Sequence, residues 1–176
     1  TDIVGFTKLS EGMESKEVLG LLSQYQSKMV KTIFESGGTV DKFIGDAVMA
    51  TFGTPVSRGN DAQNALQCAR QMQIEMREWD KEREQSGKPK IEHRIGIHIG
   101  PCFVGNVGSD ERVEFTVIGD TVNVASRICD ACKEFDTDFL ISDSLANKIK
   151  LPAKSKRVKR YSIKGRDQKL DIVKIY

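Results

Sequence analysis

The chain has 176 residues, of which 39 % are hydrophobic, and its charged side chains leave a formal net charge of only +2. This length and apolar content are typical of one globular domain with a sizeable core. The near-neutral charge argues against a nucleic-acid-binding protein or one that binds an acidic membrane surface. No apolar run approaches the length of a membrane span or the pattern of a signal peptide.

Four cysteines lie at irregular spacing, which does not make a disulfide framework in a chain of this size. A reducing, cytoplasmic setting is therefore predicted. Cys129 and Cys132 form a single C-x-x-C pair within a predicted helix. Without a second pair of ligands, we expect buried thiols there and neither a zinc site nor a redox centre.

Residues 1–7 are predicted as the end of a strand that enters a glycine turn, so we expect the chain to be an excerpt of a longer polypeptide. Apolar side chains at helical spacing predict two long helices, at about 16–35 with Ser15 as cap and from a cap at Asp61 to about 84. Alternation and turn residues predict strands at about 91–100, 101–107, 114–120, 139–142, 156–164 and 170–176, and helices at about 121–134 and 143–149.

The segment KFIGDAVMATF, residues 42–52, lies between the two long helices and is predicted as two short strands. Gly45 permits the tight turn between them and places Asp46 at a rim. Apolar side chains that pack in the core are expected at Phe43, Val48, Ala50 and Phe52. An ordinary Gly-Asp turn remains the alternative, and a second carboxylate at Asp2 favours a cation site instead.

Strands both precede and follow the helices, and several neighbouring strands form hairpins. This pattern favours an α+β fold, with helices on one face of a mixed, mostly antiparallel sheet, over a doubly wound parallel fold. No internal repeat, low-complexity tract or domain boundary is visible. We therefore expect residues 1–176 to form one domain.

Five segments carry a resemblance: TDIVGFT (1–7), KFIGDAVMATFG (42–53), HRIGIHIGP (93–101), VGNVGSDERVEFTVIGDTVNVASR (104–127) and SIKG (162–165). Together and in this order, they resemble the catalytic domain of class III nucleotide cyclases. The resemblance covers essentially the whole chain. It implies a ferredoxin-like βαββαβ core with a C-terminal β-hairpin extension.

By this resemblance, Asp2 and Asp46 hold two metal ions, with the backbone carbonyl of Ile3 as a further ligand. Two carboxylates in one cleft repel each other unless cations bind between them, and oxygen ligands suit Mg²⁺ or Mn²⁺. Two such ions could activate an attacking hydroxyl and stabilise a leaving oxygen. The turn that follows opens toward a helix, and its amides, including those of Phe6 and Thr7, could receive a triphosphate.

The resemblance also places Lys42 and Thr116 at the purine edge, where guanylate cyclases have Glu and Cys. A lysine donor meets the N1 acceptor of adenine but would face the N1–H donor of guanine. Thr116 is less decisive than an aspartate, because a hydroxyl both donates and accepts. ATP is therefore the expected substrate, and a guanylate cyclase is the nearest alternative.

Asn123 and Arg127 are four residues apart on a predicted helix and share one face. By resemblance, Asn123 orients the ribose, and Arg127 stabilises the pentacovalent phosphate. From the residues alone, a capping or surface amide and a solvated arginine would be the preferred interpretation. Lys164 matches the lysine that binds terminal phosphates in the family, and Arg94 matches an arginine on the metal-bearing side that also reaches phosphate.

In this family, the metal aspartates of one active site come from one subunit and the purine and transition-state residues from the other. This chain carries both sets, so a head-to-tail homodimer with two composite sites is expected. The implied function is an adenylate cyclase that makes 3′,5′-cyclic AMP and pyrophosphate in intracellular signalling. Sensor domains are expected upstream in a longer chain, and Thr116 in place of Asp suggests bicarbonate or dissolved CO₂ as an effector.

Two rival functions remain from other classes. A degenerate cyclase-like domain that only dimerises would have lost an aspartate, the asparagine or the arginine, and all are present here. A diguanylate-cyclase-type nucleotidyl transferase predicts a Gly-Gly-Asp/Glu-Glu-Phe signature, and this chain has Phe-Ile-Gly-Asp-Ala at residues 43–47 instead.

Overall fold

A computed structural model describes residues 1–162 and 169–176, apart from the side chains of Lys159 and Arg160. Lys164 lies outside the described residues. The helices are α1 (Phe6–Glu11), α2 (Ser15–Glu35), α3 (Asp61–Gln85), α4 (Asp120–Ala131) and α5 (Asp143–Ala146). The strands are β1 (Asp2–Ile3), β2 (Thr39–Ile44), β3 (Ala47–Thr51), β4 (His93–Ile97), β5 (Phe103–Ser109), β6 (Arg112–Ile118), β7 (Phe139–Ser142), β8 (Ser155–Tyr161) and β9 (Leu170–Ile175).

The central sheet has the order β1-β4-β7-β9-β8, and only its β4–β7 pair is parallel. The β2–β3 hairpin joins its free edge, because Thr1 and Val48 exchange backbone hydrogen bonds of 3.0 and 2.8 Å. Such reciprocal bonding is that of an antiparallel pair. The resulting order, β2-β3-β1-β4, is that of a ferredoxin-like βαββαβ core, so the predicted α+β class and the closing β8–β9 hairpin are confirmed.

The sheet separates two apolar clusters. The larger one packs α2 and α3 against side chains that include Ile95, Phe139 and Ile141. The smaller one packs α4 against the opposite face, where Leu140 and Ile172 point. This division follows from the alternation of side chains along each strand. The two core helices thus share one face as expected, and α4, which follows that core, covers the other.

Gly96 on β4 allows α4 to lie directly on the sheet. A Cβ at this position would be 2.3 Å from the backbone nitrogen of Cys129 and 2.7 Å from the carbonyl oxygen of Ala125. Real Cβ contacts are never that short, so only glycine permits this approach. Cys129 and Cys132 lie buried beside it, with their thiols near the carbonyls of Arg94 and Ile95. The expectation of buried thiols is confirmed.

Three local expectations were wrong. Phe43 is 48 % exposed and outside the core, whereas Val48 is buried. The N-cap of α2 is Glu14 and not Ser15, which is the first residue of the helix. The side chains of Glu14 and Glu17 each accept a hydrogen bond from the other residue's backbone amide, which forms a capping box. Asp61 is the first residue of α3 and accepts hydrogen bonds from the preceding loop instead of capping the helix.

The predicted boundaries otherwise agree with the structure to within a few residues, except that β4 is shorter than expected and α4 ends at Ala131. The short helix α1, directly after the first glycine turn, had not been delimited from the sequence. Within the described residues, no helix has both the length and the apolar character needed to cross a membrane.

Candidate active site

The two predicted metal-binding aspartates lie together, one at the start of β1 and the other at the tip of the β2–β3 hairpin beside it. Asp2 begins β1, and Asp46 lies in the turn between β2 and β3, where Gly45 adopts a φ of 62°. The backbone amide of Ile3 donates a hydrogen bond of 3.1 Å to Oδ2 of Asp46. Burial, and then the neighbouring Asp46 carboxylate, raise the pKa of Asp2 to about 6. The pair therefore carries negative charge that its surroundings do not balance.

This donor set fits a hard divalent cation. Adjacent carboxylates resist joint ionisation, and a bound cation relieves that repulsion. Among the described residues, no group of three or more histidine, cysteine, aspartate or glutamate side chains could hold a metal ion. The backbone carbonyl of Ile3 remains the further ligand expected from the sequence.

Arg94, Phe6 and Thr7, which are predicted to bind phosphate, lie in β4 and α1. Arg94 on β4 is the direct partner of Asp2 in the β1–β4 ladder. Phe6 begins α1 and packs partly against the core, so a contact with a ligand would come from its backbone. Thr7 is exposed on the same turn.

The predicted purine-contacting residues meet in a second cluster. Nζ of Lys42 on β2 lies 2.7 Å from Oε1 of Glu114 on β6 and 3.7 Å from Oδ2 of Asp41. The hydroxyl of Thr116 donates to Oδ2 of Asp41 at 2.8 Å, and the amide of Val117 donates to its Oδ1 at 3.3 Å. The hydrogen bond to Glu114 raises the pKa of Lys42, so its amine is a cationic donor.

A bulge in β2 makes this cluster possible. The register of the β2–β3 ladder shifts between Val40 and Lys42, so Asp41 is an extra residue on that strand. Side chains of consecutive strand residues normally point to opposite faces, and a bulge changes that direction. Asp41 and Lys42 can therefore both reach Glu114 and Thr116 on β6.

Sequence reasoning missed Asp41 and Glu114. The one local signal was that Asp41 directly precedes Lys42, which the family resemblance places at the purine edge. The shift in register, which aims Asp41 at β6, is not encoded in a recognisable pattern of side-chain types.

Asn123 and Arg127 lie on α4, as predicted, one turn apart. Val124 and Ile128 of the same helix are fully buried against the sheet. Asn123 is exposed and Arg127 half-buried, so both lie away from the buried contact face of α4. Among the described residues, no hydrogen bond or ion pair joins Asn123 or Arg127 to Asp2 or Asp46.

A cavity of about 390 Å³ lies between β3, β4, α3 and α4. Its lining is mostly apolar, and Asp2 is the only described candidate residue that reaches it. Lys42, Thr116, Asn123 and Arg127 do not line it. Within one chain, the candidate residues therefore form separate groups and do not converge on this cavity.

The model of the family "Adenylate and Guanylate cyclase catalytic domain" matches residues 1–173. The chain belongs to this family. The class III cyclase resemblance noted in the sequence is thereby confirmed over nearly the full length.

Curated cyclases are similar across the whole chain. Adenylate cyclase 1 of Rhizobium meliloti (strain 1021) is 35 % identical over 175 residues, covering 99 % of this chain and 26 % of the relative. Adenylate cyclase of Anabaena cylindrica is 40 % identical over 181 residues, covering 99 % of this chain and 35 % of the relative. The chain thus spans about a quarter to a third of the length of these relatives.

Two solved cyclase structures also match. The adenylyl cyclase CyaB from P. aeruginosa has a TM-score of 0.87 at 34 % identity, covering 99 % of this chain and 90 % of that chain. The guanylyl cyclase Cya2 has a TM-score of 0.85 at 32 % identity, covering 99 % and 87 %. Cyclases named for either purine nucleotide therefore share this fold at similar identity.

Proposed function

We propose that this domain is an adenylate cyclase, a lyase that converts ATP to 3′,5′-cyclic AMP and pyrophosphate in signal transduction. The observation that carries the proposal is the cluster of Lys42 and Thr116 around Asp41, which offers adenine a donor and a hydroxyl at adjacent points. A guanylate cyclase is the alternative, and the glutamate and cysteine expected of it at these two positions are absent from the sequence.

The purine preference follows from hydrogen-bond polarity. The N1 atom of adenine is an acceptor, which the Lys42 ammonium can meet. The N1 atom of guanine carries a hydrogen and would leave two donors facing each other. Because a desolvated unpaired donor costs about 1–3 kcal/mol, this mismatch disfavours GTP.

The carboxylate pair would hold two Mg²⁺ or Mn²⁺ ions, with Asp2, Asp46 and the carbonyl of Ile3 as ligands. When bound, such ions neutralise phosphate charge and acidify a nearby hydroxyl. A bound cation would also lower the pKa of Asp2, which is about 6 without it, and so keep Asp2 ionised below neutral pH. Arg94, the ladder partner of Asp2, would add positive charge beside the phosphates.

The protein residues position ATP and stabilise charge on its α-phosphate. Asn123 would orient the ribose through its side-chain amide, and Arg127 would donate to the equatorial oxygens as charge develops on them. Lys164 and the backbone of Phe6 and Thr7 would bind the terminal phosphates. The bond from the 3′-oxygen to the α-phosphorus forms as the bond to the bridging oxygen breaks. Pyrophosphate leaves, and the hydroxyl proton passes to solvent or substrate.

We assign the working form to a head-to-tail homodimer with two composite sites. The chain carries the purine cluster around Lys42, the pair on α4 and the carboxylate pair. Among the described residues of one chain, no contact brings the first two sets to the carboxylates, so a second chain would have to complete each site. The hairpins also expose large apolar side chains that a second copy would bury. These are Phe43, Ile44, Phe103, Val113, Phe115 and Ile118.

The same proposal places the domain in the cytoplasm, where ATP is available, under the control of sensor domains elsewhere in a longer chain. Curated relatives are about three to four times longer than their match to this chain. Their additional length leaves room for such domains.

The direct test is to identify the cyclic nucleotide formed by the purified protein. ATP and GTP are offered separately with Mg²⁺ or Mn²⁺, beside an Asp46→Ala variant and a matched Asp110→Ala control, which removes an exposed acid from the β5–β6 turn. We expect cyclic AMP from the unaltered protein and the Asp110→Ala control, and none from Asp46→Ala. Predominant cyclic GMP would contradict the purine assignment, and no product from either nucleotide would favour a dimerisation module without catalysis.

A further inference from the structure

A threonine hydroxyl is ambiguous, because it can donate to one partner while it accepts from another. At Thr116 the structure removes this ambiguity. The hydroxyl is buried and donates to Oδ2 of Asp41 at 2.8 Å. A carboxylate only accepts hydrogen bonds, so the single hydrogen of the hydroxyl is committed to Asp41. What remains available on Thr116 is a lone pair.

Asp41 is itself held in place. Its side chain is 6 % exposed, and its other oxygen accepts the amide hydrogen of Val117 at 3.3 Å. The bulge at this point of β2 directs the carboxylate to β6. Buried charges need partners, and the Lys42 ammonium at 3.7 Å provides the opposite charge. The carboxylate is therefore a fixed acceptor and not a mobile surface acid.

We propose that Asp41 is a positioning residue that holds Thr116 as a hydrogen-bond acceptor toward the purine, and thereby selects the 6-amino group of adenine over the 6-oxo group of guanine. The inference rests on the proposed function, in which Lys42 and Thr116 contact the purine edge. It assigns a specificity role to a residue that makes no contact with the substrate itself.

The two neighbouring positions then match adenine as a pair. Lys42 presents a donor, and Thr116 presents an acceptor. Adenine offers an acceptor at N1 and a donor at its 6-amino group, whereas guanine offers the reverse, a donor at N1 and an acceptor at O6. Guanine would be mismatched at both points, and not at Lys42 alone.

Asp41→Asn tests the inference, because Val117 fixes the orientation of the new amide. Its oxygen must accept from the Val117 amide, so its NH₂ group faces Thr116 and donates to the hydroxyl. The hydroxyl hydrogen then points toward the purine, where it opposes the 6-amino group and suits the 6-oxo group. We expect the ratio of kcat/KM for ATP to that for GTP to fall roughly ten- to a hundredfold, as for one mismatched buried hydrogen bond.

A binding measurement separates recognition from catalysis. Calorimetric titration with 3′-deoxy-ATP and 3′-deoxy-GTP, which lack the attacking hydroxyl, should show the same loss of preference in Asp41→Asn as the kinetic ratio. Glu114→Gln is the matched control, because it removes an acidic charge beside Lys42 and leaves the Thr116–Asp41 hydrogen bond intact. The ATP:GTP ratio of this control should stay within about threefold of the unaltered protein.

Thr116→Val supplies a second, independent test, since it deletes the acceptor and keeps Asp41. It should lower the ATP:GTP ratio, but by less than Asp41→Asn, which turns the acceptor into a donor, and adding Asp41→Asn to it should change the ratio no further. An unchanged ratio in folded Asp41→Asn or in Thr116→Val, or equal losses in Asp41→Asn and Glu114→Gln, would overturn the role of Asp41. A GTP preference in the unaltered protein would instead overturn the proposed function.

Discussion

The carboxylate of Asp46 accepts a hydrogen bond from the backbone amide of Ile3, which lies 43 residues earlier in the chain. This contact ties the tip of the β2–β3 hairpin to β1 and places Asp46 beside Asp2. Burial, and then the proximity of Asp46, raise the pKa of Asp2 to about 6. The fold thus brings two carboxylates together beside the tip of the β2–β3 hairpin, which is the basis for the cation site in our proposal.

Arg127→Ala should lower kcat by about 10²–10³-fold with little change in KM, because the guanidinium is proposed to act where charge develops in the transition state. Steady-state kinetics with ATP measures both constants. Lys133→Ala removes an exposed positive charge just beyond α4 and serves as the control, for which we expect near-normal values. An equal loss in both variants would point to general electrostatics instead of a specific contact.

Gly96→Ala should destabilise the protein by about 1–3 kcal/mol, since the new Cβ would push α4 away from β4. Urea unfolding followed by circular dichroism measures this change. Gly20 lies within α2 with no atom near its Cβ position, so Gly20→Ala should stabilise by about 0.5–1 kcal/mol. Equal effects of the two substitutions would contradict the tight approach of α4.

Stability should decline at alkaline pH because of the buried thiols. Burial raises the pKa of Cys132 from 9.0 to about 12 in the folded protein. The unfolded thiol loses its proton above about pH 9, whereas the folded one keeps it, so raising the pH favours unfolding between these values. The slope for this group approaches about 1.4 kcal/mol per pH unit.

Urea unfolding across pH 8–11 tests this slope. The stability of Cys132→Ala should decline less steeply with pH than that of the unaltered protein. Cys102→Ala is the control, because Cys102 is exposed, and it should keep the full slope. Parallel curves for all three proteins would show that Cys132 does not contribute.

Bicarbonate should raise the rate of cyclic AMP formation at fixed pH and ionic strength. The prediction rests on the proposed correspondence of Thr116 with a position that carries aspartate in other adenylate cyclases of the family. A flat rate in the unaltered protein across added bicarbonate would contradict this regulatory assignment.

Much of the core could be predicted from the sequence, because the spacing of apolar residues along a helix or strand indicates which side chains are buried. The alternation of Ile95 and Ile97 around Gly96 correctly predicted a strand, and the helical spacing in α2 and α3 gave both helices to within two residues. The hairpin with Asp46 at its tip was also predicted, because Gly45 permits a turn that other residues oppose.

The remaining features depend on tertiary contacts that no local pattern records. Phe43 has the apolar character of a core residue, yet it is exposed in the single chain, since its strand lies at the edge of the sheet. In the sequence, Asp41 cannot be told from an ordinary surface aspartate. In the structure, the bulge in β2 directs its side chain toward Thr116. The sequence therefore predicted the direct candidate contacts and missed the residue that orients one of them.

The composite site is tested most directly by mixing Asp46→Ala, which should be inactive, with Arg127→Ala, which should keep at most about 1 % of the activity, and measuring cyclic AMP formed from ATP. In a head-to-tail dimer, a mixed pair has one site with Asp46 from one subunit and Arg127 from the other. Random pairing makes half the dimers mixed with one intact site each, so we predict about a quarter of the unaltered activity. No activity above that of either variant alone would contradict the composite site.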